Sequence, residues 1–147
     1  MTSPIEGKGE GEVSGLDHIG LAVRSIEESL RFYRDALGLE AGPPEDVATE
    51  GVRVVFLPVG TTRIELLEPL HDDSPVARFI RKRGEGIHHV CLLVADLEAA
   101  VASLEGRGAA ILEPRIRMGA AGRRIAFVHP RSTGGVLLEL KEPARRG

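Results

Sequence analysis

Short apolar runs and helical stripes of apolar residues alternate along the first half of the chain. The run 16–23 predicts a strand, and a capping-box pattern at Ser25 predicts that a helix begins after it. Apolar residues then recur at helical spacing up to a glycine: Ile26, Leu30, Tyr33, Leu37 and Gly38. A short apolar segment and two β-like runs, 52–59 and 63–67, complete the pattern. The first half therefore predicts a β-α-β-β-β unit.

The second half repeats this pattern with a nearly constant offset. The run 87–94 follows the run 16–23 after 71 positions, and a helical stripe begins after Asp96. Two β-like runs, 124–128 and 136–140, come next, and the offset grows to 74 in the last run. The second copy therefore carries three extra residues in its final turn.

The repeat predicts one α+β domain. Its two β-α-β-β-β units, about 15–70 and 86–142, are joined by a linker helix at about 74–84. Two such units can bring the concave faces of curved mixed sheets together around one metal-containing cavity. Residues 1–14, rich in glycine and glutamate, are predicted to be a disordered tail.

Composition excludes several classes of protein. The 147 residues carry a net charge of −3, which favours neither nucleic acid nor an anionic membrane as a partner. No apolar stretch reaches the roughly 18 residues of a transmembrane helix, and the N-terminus lacks the apolar core of a signal peptide. The single cysteine, Cys91, lies in an apolar run and is predicted to be a small buried hydrophobe. We expect a cytoplasmic protein.

Each half offers one histidine on its first strand and one glutamate on its last. These are His18 and Glu65 in the first half, and His89 and Glu139 in the second. Two imidazoles with one or two carboxylates form a nitrogen and oxygen ligand set suited to Zn, Co, Mn, Ni or Fe(II). The repeat register aligns His88 with Asp17, so His88 is expected to face the other side of the sheet.

Other polar residues receive structural or surface assignments. Glu68 is expected to face solvent or a loop, and His71 and His129 to have surface or supporting roles. The basic glycine-rich loop 119–124 lacks the spacing of a P-loop or dinucleotide fingerprint. That loop is either a solvated hairpin or a flexible segment that contacts phosphates.

These features resemble the vicinal oxygen chelate superfamily, which includes glyoxalase I, extradiol dioxygenases and antibiotic-resistance proteins. Within it, the chain is similar to the methylmalonyl-CoA epimerase family over roughly residues 16–142. The matching segments are 17–20, 56–60, 64–70, 73–77, 84–89, 125–130 and 132–140. The string 129–140, together with 84–89, is the most specific.

The resemblance implies epimerisation of (2R)- and (2S)-methylmalonyl-CoA by 1,1-proton transfer through a metal-stabilised enolate. It implies one divalent metal per chain, with Co²⁺ first and Zn²⁺, Mn²⁺, Ni²⁺ or Mg²⁺ as alternatives. The ligands would be His18, His89 and Glu139, with Glu65 in the fourth position. The expected partners are an acyl-CoA substrate and a second copy in a homodimer.

The chain departs from the family pattern at the second base. Some members carry a proposed catalytic glutamate on the strand after Gly51, where this chain has Val54 between Arg53 and Val55. Those members have glutamine at the position of Glu65. We therefore expect Glu65 and Glu139, from equivalent strands, to serve as the two bases.

Two other functions fit the sequence. One is another reaction of the superfamily, either a glyoxalase I-like lyase or an Fe(II) extradiol dioxygenase. The other is a metal-free small-molecule-binding resistance protein, which would lack a cluster of acidic and imidazole groups in its cavity.

Overall fold

The computed structural model describes residues 11–144, so most of the predicted tail lies outside the described residues. The strands are β1 Val13–Ala22, β2 Glu45–Val47, β3 Val52–Val59, β4 Thr62–Pro69, β5 Gly86–Val94, β6 Arg117–Met118, β7 Arg124–Val128 and β8 Leu138–Lys141. The helices are α1 Ile26–Leu30, α2 Pro75–Arg83 and α3 Leu97–Gly106. The predicted β-α-β-β-β unit is thus present twice, with α2 as the linker.

The eight strands form one curved mixed sheet in the order β2-β3-β4-β1-β5-β8-β7-β6. Each half contributes four strands, and the halves join where β1 pairs antiparallel with β5. Within each half the first and last strands are parallel, β1 with β4 and β5 with β8. This equivalence confirms the predicted α+β fold and relates the two halves by a pseudo-twofold axis.

Helices α1 and α3 cover the outer face of the sheet. Below α1, Ile26 packs with Leu57 and Leu66, and below α3, Leu97 packs in a core that includes Leu140. On the inner face, α2 places Val76 and Ile80 against buried residues of β3 and β4. Because side chains alternate along a strand, the four candidate metal ligands on β1, β4, β5 and β8 lie on the inner face.

The first helix differs from its predicted form. After Leu30 it continues as a π-helical segment, Arg31–Ala36, with Leu37 N–H bonded to the Phe32 carbonyl at 2.7 Å. The wider turn rotates later residues away from the core. Leu37, predicted to lie on the buried stripe, is therefore 55% exposed.

Two strand boundaries also differ from the pattern. β1 begins at Val13 and so includes the last two residues assigned to the tail. β8 begins at Leu138, because Gly134 and Gly135 adopt positive φ values of 76° and 101° in the turn before it. Val136, assigned to the strand by sequence, is 44% exposed.

The β1–β5 pairing contains bulges at repeat-equivalent positions. Leu16 pairs with Leu92 and His18 with Cys91, which leaves Asp17 as the extra residue on β1. Gly20 pairs with His89 and Leu21 with Ile87, so His88 is the extra residue on β5. A bulge redirects the side chains beside it.

Candidate metal centre

The four predicted donors meet on the inner face of the sheet. His18 and His89 project from the central strands β1 and β5, and Glu65 and Glu139 project from their parallel neighbours β4 and β8. Their exposed fractions are only 2% to 6%. Strand alternation and the duplicated topology therefore place one imidazole and one carboxylate from each half at the same point.

The donor atoms are closely spaced. The two histidine Nε2 atoms lie 3.0 Å apart. The Oε1 atom of Glu65 is 3.2 Å from both Nε2 atoms, and Oε1 of Glu139 is 3.4 Å from His18 and 3.0 Å from His89. All four ligand atoms lie within 4.8 Å of one another.

This spacing fits a single metal ion. Ligands at about 2.1 Å from an ion lie about 3.0 Å apart at octahedral right angles and about 3.4 Å apart at tetrahedral angles. Two carboxylates balance the charge of a divalent ion, and the nitrogen and oxygen donors suit first-row metals. The residues present therefore fit the implied metal, which these four side chains would hold.

Electrostatics show that the cluster attracts positive charge. Burial alone would raise the pKa of Glu139, but hydrogen bonds with His18 and His89 lower that pKa to about 2. Burial likewise opposes charge on His89, yet bonds with Glu139 and Glu65 raise its pKa to about 9. Protons and metal ions therefore compete for the same donors, and metal binding should weaken as pH falls.

His88 does not face the other side of the sheet, and that prediction was wrong. Its Nδ1 lies 2.9 Å from Nδ1 of His89, and its ring packs edge-on to Phe79. The β5 bulge is the cause, because it places both rings beside the cavity. Burial, with the nearby His89, lowers the pKa of His88 to about 4, which favours a neutral ring.

Gly20 provides the space that the His89 ring occupies. A Cβ atom built on Gly20 would lie 2.2 Å from Cε1 of His89 and within 2.7 Å of both ring nitrogens. A contact that short cannot be accommodated without moving the ring. The glycine is required here by the close approach of an imidazole.

We expect Gly20→Ala to weaken metal binding about 10- to 100-fold, because the His89 ring must leave its position among the donors. Chelator competition with Co²⁺ measures the change. Gly15→Ala is the matched control on the same strand, since a Cβ there meets nothing within 4 Å. Equal metal affinity of the two variants would contradict this assignment.

Apolar side chains form the walls of the cavity above the donors. Val54, where family members were expected to place a base, is one of them and cannot transfer a proton. Glu50 is a further carboxylate on the lining, which sequence reasoning missed. Its side chain is 21% exposed and lies 3.5 Å from Arg117, and burial raises its pKa.

The two edge strands approach each other across the open side of the cavity. The Glu45 carboxylate accepts a hydrogen bond from the Ala121 N–H at 2.9 Å, and the Thr49 hydroxyl donates to the Met118 carbonyl at 3.2 Å. These contacts join β2 and the 3₁₀ turn that follows it, Ala48–Glu50, to β6 and the following loop. The cavity is thus bounded by both halves of the chain.

Three of the remaining sequence candidates, Glu68, His71 and His129, do not line the cavity. The Glu68 carboxylate accepts from the Ile26 N–H at the start of α1. His71 is exposed, and His129 Nδ1 accepts from the Arg131 N–H. In the basic loop, both arginines bind Glu142: Arg123 its carbonyl and Arg124 its carboxylate. The loop is thus a hairpin between β6 and β7, and its residues Gly119 and Ala120 line the cavity.

Known proteins resemble this chain in sequence and in fold. Residues 17–127 match the family described as the glyoxalase/bleomycin resistance protein/dioxygenase superfamily. A mitochondrial methylmalonyl-CoA epimerase of Bos taurus is 41% identical over 128 residues, covering 86% of this chain and 73% of that protein. An ethylmalonyl-CoA/methylmalonyl-CoA epimerase of Cereibacter sphaeroides is 41% identical over 134 residues, covering 88% and 98%.

A solved structure shares the fold over nearly its full length. It is a Streptomyces coelicolor methylmalonyl-CoA epimerase variant in complex with 2-nitronate-propionyl-CoA, 35% identical to this chain with a TM-score of 0.86. The alignment covers 91% of this chain and all of that one. The chain therefore belongs to the glyoxalase/bleomycin resistance/dioxygenase superfamily, and its relatives at about 40% identity include methylmalonyl-CoA epimerases.

Proposed function

We infer that this protein is an isomerase that interconverts (2R)- and (2S)-methylmalonyl-CoA. The observation that carries this conclusion is the buried cluster of His18, Glu65, His89 and Glu139 in a chain 41% identical to named epimerases. A relative that binds an acyl-CoA analogue supports an acyl-CoA substrate. Glu65 and Glu139 line a cavity with largely apolar walls, in which the acyl group would be held.

We propose that each chain binds one divalent metal ion through those four residues. Co²⁺ is the first choice, and Zn²⁺, Mn²⁺, Ni²⁺ and Mg²⁺ are alternatives consistent with nitrogen and oxygen donors. When bound, the ion supplies Lewis-acid stabilisation for negative charge that develops on the thioester oxygen. Chelation with EDTA should accordingly remove activity.

The protein's own groups move the proton. C2 lies between a thioester carbonyl and a carboxylate, so its proton is acidic enough for a positioned carboxylate to remove. Inversion requires one group on each face of that carbon, and each contributes about 10²–10⁴-fold to the rate. We assign these roles to Glu139 and Glu65, which come from equivalent strands on opposite sides of the pseudo-twofold axis. The apolar walls exclude water that would otherwise protonate the intermediate.

We expect solvent deuterium to enter methylmalonyl-CoA only at C2, because the proposed reaction breaks no other bond. Proton NMR of the substrate in D₂O, with and without metal-loaded protein, measures the exchange. A fully protonated C2 after incubation would exclude epimerisation. Exchange without inversion would show one competent base rather than two.

The alternatives receive less support. A metal-free binding protein predicts no cluster of acidic and imidazole groups in the cavity, whereas four such groups meet there. A hemithioacetal lyase or Fe(II) dioxygenase is compatible with these ligands, but two relatives that are each 41% identical to this chain are named as epimerases. A requirement for Fe(II) with loss of activity in air would favour the dioxygenase.

We also propose a homodimer. Its support is the group of large apolar residues exposed on the surface, including Phe32, Leu37 and Ile87 at 55% to 64%. In the described part of the chain, no helix combines the length and apolar character needed to cross a membrane. A cytoplasmic location stays a prediction from the sequence.

A further inference from the structure

Lys141 places a cation inside the site. It lies two residues after Glu139 on the same face of β8, lines the cavity, and is only 3% exposed. A buried ammonium without a partner is strongly unfavourable, so its environment must supply an anion. Its Nζ lies 3.2 Å from Oδ2 of Asp17, at the opposite end of the chain.

The same Asp17 oxygen receives two other donors. Arg63 Nη2 lies 2.6 Å from it, and His18 Nδ1 lies 2.7 Å from it. The Arg63 guanidinium is itself held over the Phe56 ring at 3.8 Å. Three donors on one oxygen fix the direction of the Asp17 carboxylate.

The ionised Asp17 carboxylate determines which ring nitrogen of His18 carries the proton. Since Asp17 can only accept, His18 must carry its proton on Nδ1. The lone pair of His18 Nε2 then points toward the other three candidate metal ligands, and this atom lies 3.0 Å from His89 Nε2. A carboxylate that binds the far nitrogen of a metal-binding histidine also raises the basicity of that ligand.

The other half of the repeat lacks this arrangement. The repeat partner of Asp17 is His88, which contacts His89 through the two Nδ1 atoms at 2.9 Å. A neutral ring is a weaker acceptor than a carboxylate held by two cations. The far nitrogen of His18 therefore bonds to a carboxylate, whereas the far nitrogen of His89 contacts only a neutral ring.

We propose that Asp17, held by Lys141 and Arg63, is the positioning residue that makes His18 the stronger of the two imidazole ligands. This inference rests on the proposed metal binding. Lys141 acts through Asp17, so its loss weakens metal binding, even though removing a positive charge near a cation site would by itself strengthen it.

Chelator competition with Co²⁺ on the full-length apo-protein tests the proposal. Asp17→Asn keeps an acceptor oxygen and loses the charge, and it should weaken binding about 10- to 100-fold. His88→Asn, at the repeat-equivalent position, should weaken it less than about tenfold. Equal losses, or a larger loss in His88→Asn, would overturn the proposal.

Variants of Lys141 test whether Co²⁺ affinity falls or rises when this cation is removed. Lys141→Met should weaken Co²⁺ binding and Lys141→Arg should restore it, whereas tighter binding by Lys141→Met would refute positioning. In the Zn²⁺-loaded protein, ¹⁵N NMR of the His18 ring should show a protonated Nδ1 whose resonance shifts in Asp17→Asn and not in His88→Asn. If the unaltered protein bound no metal, the proposed function would be refuted. If Asp17→Asn bound Co²⁺ with normal affinity, only the role of Asp17 would be refuted.

Discussion

Glu65→Gln is expected to retain the metal and to lose epimer interconversion by about a hundredfold or more. Glutamine still presents an oxygen to the two imidazoles that lie 3.2 Å from Glu65 Oε1, but it cannot accept a proton from carbon. Glu139 remains, so one epimer should still exchange its C2 proton with solvent. Metal analysis, D₂O exchange and an epimerisation assay on the same sample measure the three quantities.

Glu50→Gln is the matched control for this prediction. Glu50 lines the same cavity, is absent from the four-donor cluster, and has a raised pKa. Binding a metal lowers the basicity of a coordinated carboxylate, which is the main objection to Glu65 as a base. If Glu65→Gln epimerised the substrate at a near-normal rate and Glu50→Gln did not, the role of second base would belong to Glu50.

His18→Ala and His89→Ala should each abolish retention of the divalent metal. Either change removes one of four buried donors and leaves both carboxylates without a cation between them. Metal content after gel filtration, measured by mass spectrometry, gives the result. The apo-proteins should still show the circular dichroism of a folded chain if the loss is local.

His88→Ala is the control for the histidine pair. Its Nδ1 atom contacts Nδ1 of His89, on the side of that ring away from the other three ligands, so this variant should keep the metal with reduced affinity. Loss of metal from His88→Ala and its retention by His89→Ala would show that the ligand assignment from the repeat register is off by one. Cys91 is fully buried and forms, with Asp17 and His18, a second group of potential ligand atoms that shares His18 with the cluster.

A duplicated pattern made much of this molecule predictable. The offset of 71 positions between His18 and His89 identified equivalent strands, and the period of two along a strand placed Glu139 on the inner face. The linker helix followed from Ser74 and Pro75, where the Ser74 side chain does accept from the Ala77 N–H. These are local or repeating features, so the sequence contains them directly.

Two supporting residues left different traces in the sequence. Lys141 follows Glu139 by two positions in an apolar strand, so alternation alone predicts that both point to the cavity. Glu50 gave no such signal, because it lies in a short 3₁₀ turn whose direction depends on its contact with Arg117 in the other half. Contacts between distant segments have no local pattern.

The sequence by itself determined the repeat, the fold class and the four donors that the fold brings together. Only the tertiary structure decided how the residues beside the histidines point. Alternation assumes an unbroken ladder, whereas the β1–β5 pairing is interrupted at Asp17 and His88. Whether a strand bulges depends on the hydrogen-bonding register it shares with its partner. Here that partner lies about seventy residues away, so the direction of His88 and the donors gathered on Asp17 could not be deduced from either segment alone.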